Sequence, residues 1–199
     1  MIKKAAIGLR THSGWAALVA VTGPIDAPEV IGRRRIEIAD PTIRGSKQPF
    51  HAVEPLEFPE AKAHIECCRQ STGKLAREAL EAAIQALRDR GAKVVGCGIL
   101  LASGRELPGL EAILKSHALI HTAEGEFFRQ ALMEAAKHCE LPVCGIKEKQ
   151  LYEQVATKLG TTASKLQVRI QNLGKSLGPP WTQDQKYATA AAIMALQEK

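Results

Sequence analysis

The stretch Ala5-Ala6-Ile7-Gly8-Leu9-Arg10-Thr11-His12-Ser13-Gly14-Trp15-Ala16-Ala17-Leu18-Val19-Ala20-Val21 holds two apolar runs on either side of a Ser-Gly turn dipeptide. Each run is too short for a helix and carries β-branched residues near its ends, which predicts a β-hairpin. After Gly23-Pro24 and Pro28, the segment Glu29 to Ala39 interleaves Val30, Ile36 and Ile38 with Arg33, Arg35 and Glu37. That is the period-two pattern of a half-exposed third strand. Charges on such a strand suit a sheet edge, where they oppose aggregation; Arg33-Arg34-Arg35 could alternatively meet phosphate.

Beyond this meander, Asp40 to Pro59 holds four prolines without periodicity, so residues 40–59 are expected to form a long surface loop. Glu60 to Arg90 turns helical, with Leu75, Ala79, Leu80, Ala83, Ile84 and Leu87 at three- and four-residue steps and Gly91 as the stop. Lys93 to Ala102 is a continuous apolar run, as in a central strand covered on both faces. Gly109 to Cys139 predicts one or two helices with Phe127, Phe128, Leu132, Met133 and Ala136 on the apolar stripe, and Leu141 to Ile146 a short strand. Three helices follow, Lys149 to Leu159, Ala163 to Leu177 and Thr182 to Gln197, punctuated by Gly160-Thr161-Thr162 and Gly178-Pro179-Pro180. The sum is an α/β layer fold with a mixed sheet, expected to be a single domain over 1–199.

With 199 residues, 45% hydrophobic and 24% charged, the chain can bury one sizeable core and lacks the bias of disordered, collagenous or coiled-coil sequences. Its charge-free stretches, such as Val94 to Ser103, reach about half of the roughly 20 residues a bilayer needs, so no membrane partner is expected. Lys3-Lys4 and the apolar run after them are broken by Arg10 and His12, with no small-residue cleavage site following; a cytoplasmic location is expected. The five cysteines lack C-x-x-C spacing and are read as reduced, structural thiols. The excess of 27 Lys+Arg over 21 Asp+Glu, a charge of +6, leans towards polyanions. Only 4% of residues are aromatic, so phosphate contacts would have to dominate over base stacking.

Several phosphate and nucleophile motifs are absent. Ser71-Thr72-Gly73-Lys74-Leu75 lacks the flanking residues of a phosphate loop, Gly96-Cys97-Gly98 lacks the third glycine of a dinucleotide fingerprint, and Gly-x-Ser-x-Gly does not occur. Gly96 and Gly98 are expected instead to admit a closely packed helix. The polar segment His117-Ala118-Leu119-Ile120-His121-Thr122-Ala123-Glu124-Gly125-Glu126 has two readings. Continuous helix would put His117, His121 and Glu124 on one face, able to hold one divalent ion. Alternatively the helix begins at Thr122, with acids in its first turn, the histidines ahead of it and Gly125 weakening any longer helix.

Val155 to Leu196, with its Gly160-Thr161-Thr162-Ala163-Ser164-Lys165-Leu166-Gln167-Val168 run and Asp184 leading into the Ala-rich helix Ala188 to Leu196, resembles the C-terminal region of RuvC-type Holliday-junction resolvases. These belong to the ribonuclease H-like superfamily. Ile7-Gly8-Leu9-Arg10 with Ser13-Gly14-Trp15-Ala16 is similar to that family's first hairpin, and Gly91 to Leu101 lies where its fourth strand would. The resemblance implies a five-stranded mixed sheet whose first three strands form a meander, with helices on both faces. It also implies phosphodiester cleavage by two metal ions held by converging carboxylates. The expected acids are largely missing: the first strand has Arg10 in place of its aspartate, Lys93 to Arg105 contains no carboxylate, and Asp184 matches one acid while Tyr187 stands where the next is expected.

Three readings follow. The first is a catalytically degenerate module that binds branched or duplex DNA or RNA through Arg10, Lys158, Lys165, Arg169 and Lys175. The second is a metal-dependent hydrolase or nuclease with a relocated site: His121, Glu124 and Asp184 as catalytic residues, and His117, His121 and Glu124 as ligands to one Mg, Mn or Zn ion. In the fold that the resemblance implies, the starts of the two helices concerned approach one end of the sheet. The third is a protein-interaction or structural homo-oligomer, with Ala188 to Leu196 as a dimer face or as core.

Overall fold

The structure, a computed structural model, describes residues 2–25, 27–102 and 106–196. Strand β1 (Lys3–His12) turns through Ser13-Gly14 into β2 (Trp15–Thr22), antiparallel in a register from His12 opposite Trp15 to Ala5 opposite Thr22. Gly14 takes a φ of +82°, a backbone conformation that costs glycine nothing and a side-chain-bearing residue a great deal. Strand β3 (Glu29–Glu37) pairs antiparallel with β2 and forms one edge of the sheet. Two of its three arginines are engaged with the protein itself. Arg33 donates to the carbonyl oxygens of Leu177, Gly178 and Pro180, and Arg35 lies 3.9 Å over the Trp15 ring and pairs with Glu37.

Strand β4 (Ala92–Leu101) runs parallel to β1 on its other side, and β5 (Val143–Lys147) runs parallel to β4, giving the order β3-β2-β1-β4-β5. The apolar run of β4 is thus an interior strand, as its lack of alternation requires. Because β1, β4 and β5 are parallel, their carboxyl ends share one edge, where open α/β sheets gather functional groups.

Alternation along the strands divides the core. Ile7, Leu9, Leu18, Cys97 and Ile99 face a layer made by α2 (Phe58–Arg88) and α4 (His117–His138). Ala6, Val19, Val21, Leu100 and Ile146 face α5 (Leu151–Lys158), α6 (Ala163–Leu177) and α7 (Gln183–Ala195). The 40–59 segment includes a short helix, α1 (Pro49–Ala52), and lies on the first layer, where Phe50 and Val53 are buried and Phe50 meets the Phe127 ring edge-on at 5.9 Å. A second short helix, α3 (Leu110–Leu114), precedes α4.

Glycine against alanine sets the closeness of the second layer. A methyl group on Gly8 would stand 1.8 Å from the carbonyl oxygen of Ala188, one on Gly98 2.0 Å from that of Ala191, and one on Gly96 2.7 Å from that of Ala195. The backbone of α7 therefore rests directly on β1 and β4. Ala188, Thr189, Ala190, Ala191, Ala192 and Ile193 are fully buried, so this part of α7 is core and not a dimer face. Its expected last residue, 197, lies outside the described residues.

Candidate functional site

Arg10 sits at the carboxyl end of β1 with its side chain mostly covered. Its Nη1 donates to Asp184 Oδ1 at 2.6 Å, its Nη2 to Glu148 Oε1 at 2.9 Å, and its Nε to Glu148 Oε2 at 3.4 Å. The fork geometry of guanidinium suits this two-point grip on a carboxylate. Asp184 is presented by the first turn of α7, whose start is fixed by a capping box between Thr182 and Gln185. Glu148 follows the last residue of β5 in a 3-10 turn, Glu148–Gln150.

Around this centre His12 Nε2 lies 2.8 Å from Asp184 Oδ1, and its ring stacks on Trp15 at 4.2 Å. The Arg10 guanidinium lies 4.8 Å from the centroid of the Tyr187 ring, which meets Tyr152 edge-on at 5.4 Å. Burial, reinforced by the neighbouring Tyr187, pushes the Tyr152 hydroxyl up to about 12 against the opposing pull of Arg10. Beside it, Leu101, Ala102, Lys147, Glu148, Lys149 and Gln150 line a cavity of about 500 Å³ at the ends of β4 and β5.

A pair of catalytic divalent ions needs several carboxylate oxygens with free lone pairs converging on one point. Here both carboxylates that converge are ion-paired to Arg10, whose positive charge repels cations, and β4 supplies no acid at all. The residues present do not fit the two-metal centre that the resemblance implies. Glu148 was not among the residues singled out from sequence. Its one signal was an acid directly after the last strand, at the shared end of the parallel strands.

The other residues singled out from sequence fall elsewhere. The α4 helix begins at His117 with Ser116 as its N-cap, not at Thr122, whose hydroxyl instead donates to the carbonyl oxygen of Ala118. Helix runs through Gly125 because Ile120, Ala123, Phe127 and Phe128 bury a continuous stripe. Glu124 lies on the inner side, buried. Its Oε1 accepts from the backbone N–H groups of Phe50 at 2.9 Å and His51 at 3.0 Å, with His51 Nδ1 also at 3.0 Å. Burial raises its pKa above the ordinary carboxylate range, while the His51 and Phe50 hydrogen bonds pull it back. His117 and His121 are exposed one turn apart on α4, and among the described residues no hydrogen bond or ion pair joins His121 or Glu124 to Asp184.

The basic residues also divide. Lys158 Nζ donates to the carbonyl oxygens of Met194 at 2.8 Å and Leu196 at 3.2 Å, so it closes the C-terminus of α7. On α6, Lys165 and Lys175 are exposed and Arg169 is half-buried, and the helix contains no acidic residue.

No protein-family model matches this sequence, and no curated protein matches it. Among solved structures, the Thermus thermophilus RuvC in complex with a Holliday junction substrate matches over 96% of this chain and 90% of its own, at 12% identity and a TM-score of 0.52. A second Thermus thermophilus RuvC structure matches over 95% and 90%, at 10% identity and a TM-score of 0.47. No helix of the described residues is long and apolar enough to cross a membrane. The strand order, the meander and the two helical layers, with the first of these matches, establish that the chain has the ribonuclease H-like fold of the RuvC resolvases.

Proposed function

We propose that the chain is a RuvC-related module that binds branched or duplex nucleic acid and does not cut it. The observation that carries the reading is the Arg10 guanidinium held between Glu148 and Asp184 at the shared end of β1, β5 and α7. It substitutes a fixed positive charge for the cations that phosphodiester cleavage by this fold would need. The charge balance of +6 and the acid-free α6, with Lys165, Arg169 and Lys175, supply phosphate contacts. Lys147 and Lys149 flank the cavity beside Glu148 and extend the same basic character towards Arg10. The RuvC structure with a Holliday junction supports a four-way junction as the first ligand to try.

The test is incubation of the protein with labelled four-way and duplex DNA at physiological salt with Mg²⁺ or Mn²⁺, followed on native and denaturing gels. Retarded bands that weaken steeply with salt, with strands left intact, are the expected result. Cut strands would overturn the non-cleaving half of the proposal. Absent or salt-independent binding would overturn the other half.

A further inference from the structure

Away from Arg10, a second group of side chains has a geometry that nucleic-acid binding does not use. His51 from α1 and His117 and His121 from α4 each bring one ring nitrogen to within 4.8 Å of the other two. The Nε2 atoms of His117 and His121 are 3.0 Å apart, and the ring centroids of His51 lie 5.5 Å from His117 and 4.7 Å from His121. Nitrogens bound to one tetrahedral zinc ion, about 2.0–2.1 Å from it, stand about 3.3 Å apart. The His117–His121 pair is close to that spacing, and the His51 nitrogen lies within 4.8 Å of both.

The surroundings of the rings are those of ligands oriented from behind. His51 directs Nδ1 at the buried Glu124 carboxylate at 3.0 Å, and His117 directs Nδ1 at Glu54 Oε1 at 3.4 Å. A carboxylate on Nδ1 holds the proton there and leaves the Nε2 lone pair for an ion. Glu124 also accepts the backbone N–H groups of Phe50 and His51, so the carboxylate that orients the ring fastens α1 onto α4. Its other oxygen, Oε2, is buried without a hydrogen-bond partner. A carboxylate is retained at this cost where it has a polar task. Orienting a metal-ligating imidazole is such a task.

We propose that His51, His117 and His121 bind one divalent ion of the zinc class, with Glu124 and Glu54 as the outer carboxylates and a fourth position open to water. Three neutral imidazoles select zinc and its late first-row neighbours over magnesium or calcium, which take oxygen ligands. His117 and His121 are exposed and His51 half-exposed, so the ion would face solvent and keep a water. Relative to the sequence reading, His51 replaces Glu124 as the third ligand, and Glu124 moves behind it. The ion would clasp the 40–57 segment to α4. The site shares no residue with the Arg10 centre, so it stands independently of the nucleic-acid reading.

The experiment is zinc chloride titration by calorimetry, with metal content after dialysis, for the full chain and for His117→Ala, His121→Ala, Glu124→Gln and Cys67→Ser. Circular dichroism checks that each is folded. One zinc per chain is expected for the wild type, with affinity falling at least tenfold in each histidine variant, about 10–100-fold in Glu124→Gln, and unchanged in Cys67→Ser. Cobalt(II) in place of zinc should give the intense visible bands of a four-coordinate ion, lost in His121→Ala. No zinc uptake by the wild type, equal uptake by His121→Ala and the wild type, or cobalt bands only of the hexahydrated ion would each overturn the proposal.

Discussion

Arg10 Nη1 donates to Asp184 Oδ1 at 2.6 Å across 174 positions of sequence, tying the end of β1 to the first turn of α7. The same guanidinium holds Glu148, so one side chain joins the first strand, the end of the last strand and the last helix. Removing it would leave two carboxylates facing each other in a partly covered site.

Arg10→Ala is therefore expected to cost about 1–3 kcal/mol, since the loss of one partner strands the charges of the others. Arg10→Asp should lower the melting temperature further in chelator, and Mg²⁺ or Mn²⁺ should restore part of the loss by pairing with the three acids. Thermal unfolding with and without the ions reads both effects. Melting of either variant at the wild-type temperature would show that Arg10 does not organise this site.

The packing of α7 on β4 gives a matched pair of glycine substitutions. Gly98→Ala puts a methyl 2.0 Å from the Ala191 carbonyl oxygen and must push a buried helix off the sheet. It should destabilise by about 3 kcal/mol or more. Gly73→Ala, within α2 and with nothing within 4 Å of the added methyl, should stabilise by about 0.5–1 kcal/mol. Denaturant midpoints for the two variants must move in opposite directions.

The basic face of α6 predicts a salt signature. Combined replacement of Lys165, Arg169 and Lys175 by glutamine should weaken duplex binding similarly for all sequences. It should also reduce the slope of log affinity against log salt by about 2–3, close to one for each phosphate that is no longer neutralised. An unchanged slope would place the phosphate-binding residues elsewhere. Lys158→Gln should instead lower stability, because its ammonium serves the carbonyl oxygens of Met194 and Leu196.

Alkaline pH should destabilise the fold. Burial raises Cys68 from 9.0 to about 11, Cys97 from 9.0 to about 12 and Tyr152 from 10.0 to about 12. Unfolded, these groups release their protons at lower pH than they do in the fold. Their contribution is thus fully present below about pH 9 and declines as pH rises from there towards 12. Unfolding free energy measured from pH 8 upwards should fall accordingly. In the native protein at pH 8, a thiol reagent should label the exposed Cys67 and spare the buried Cys68 and Cys97.

Much of the fold is legible in local chemistry along the chain. Ser13-Gly14 between two apolar runs favours a tight turn, and the charges of residues 29–37 suit an edge. Gly8, Gly96 and Gly98 opposite the alanines of 188–195 form a fit whose two halves are each visible as composition. Periodicity and turn chemistry act over a few residues, so they survive in one dimension. The helix start was harder. Thr122 and Gly125 carry local signals for a break, which the burial of Ile120, Ala123, Phe127 and Phe128 overrides.

Which side chains meet is a matter of long-range packing. Arg10 and Glu148 are separated by 138 positions, and His51 and Glu124 by 73. Nothing in the spacing of either pair marks it. The sequence placed an arginine where an aspartate was expected and Asp184 where an acid was expected, but not Glu148, which closes the pair around it, and two histidines on a helix, but not the third from a proline-rich segment. Such meetings depend on which strand ends share an edge and which segment folds over which helix, and those are set by the burial of the whole core.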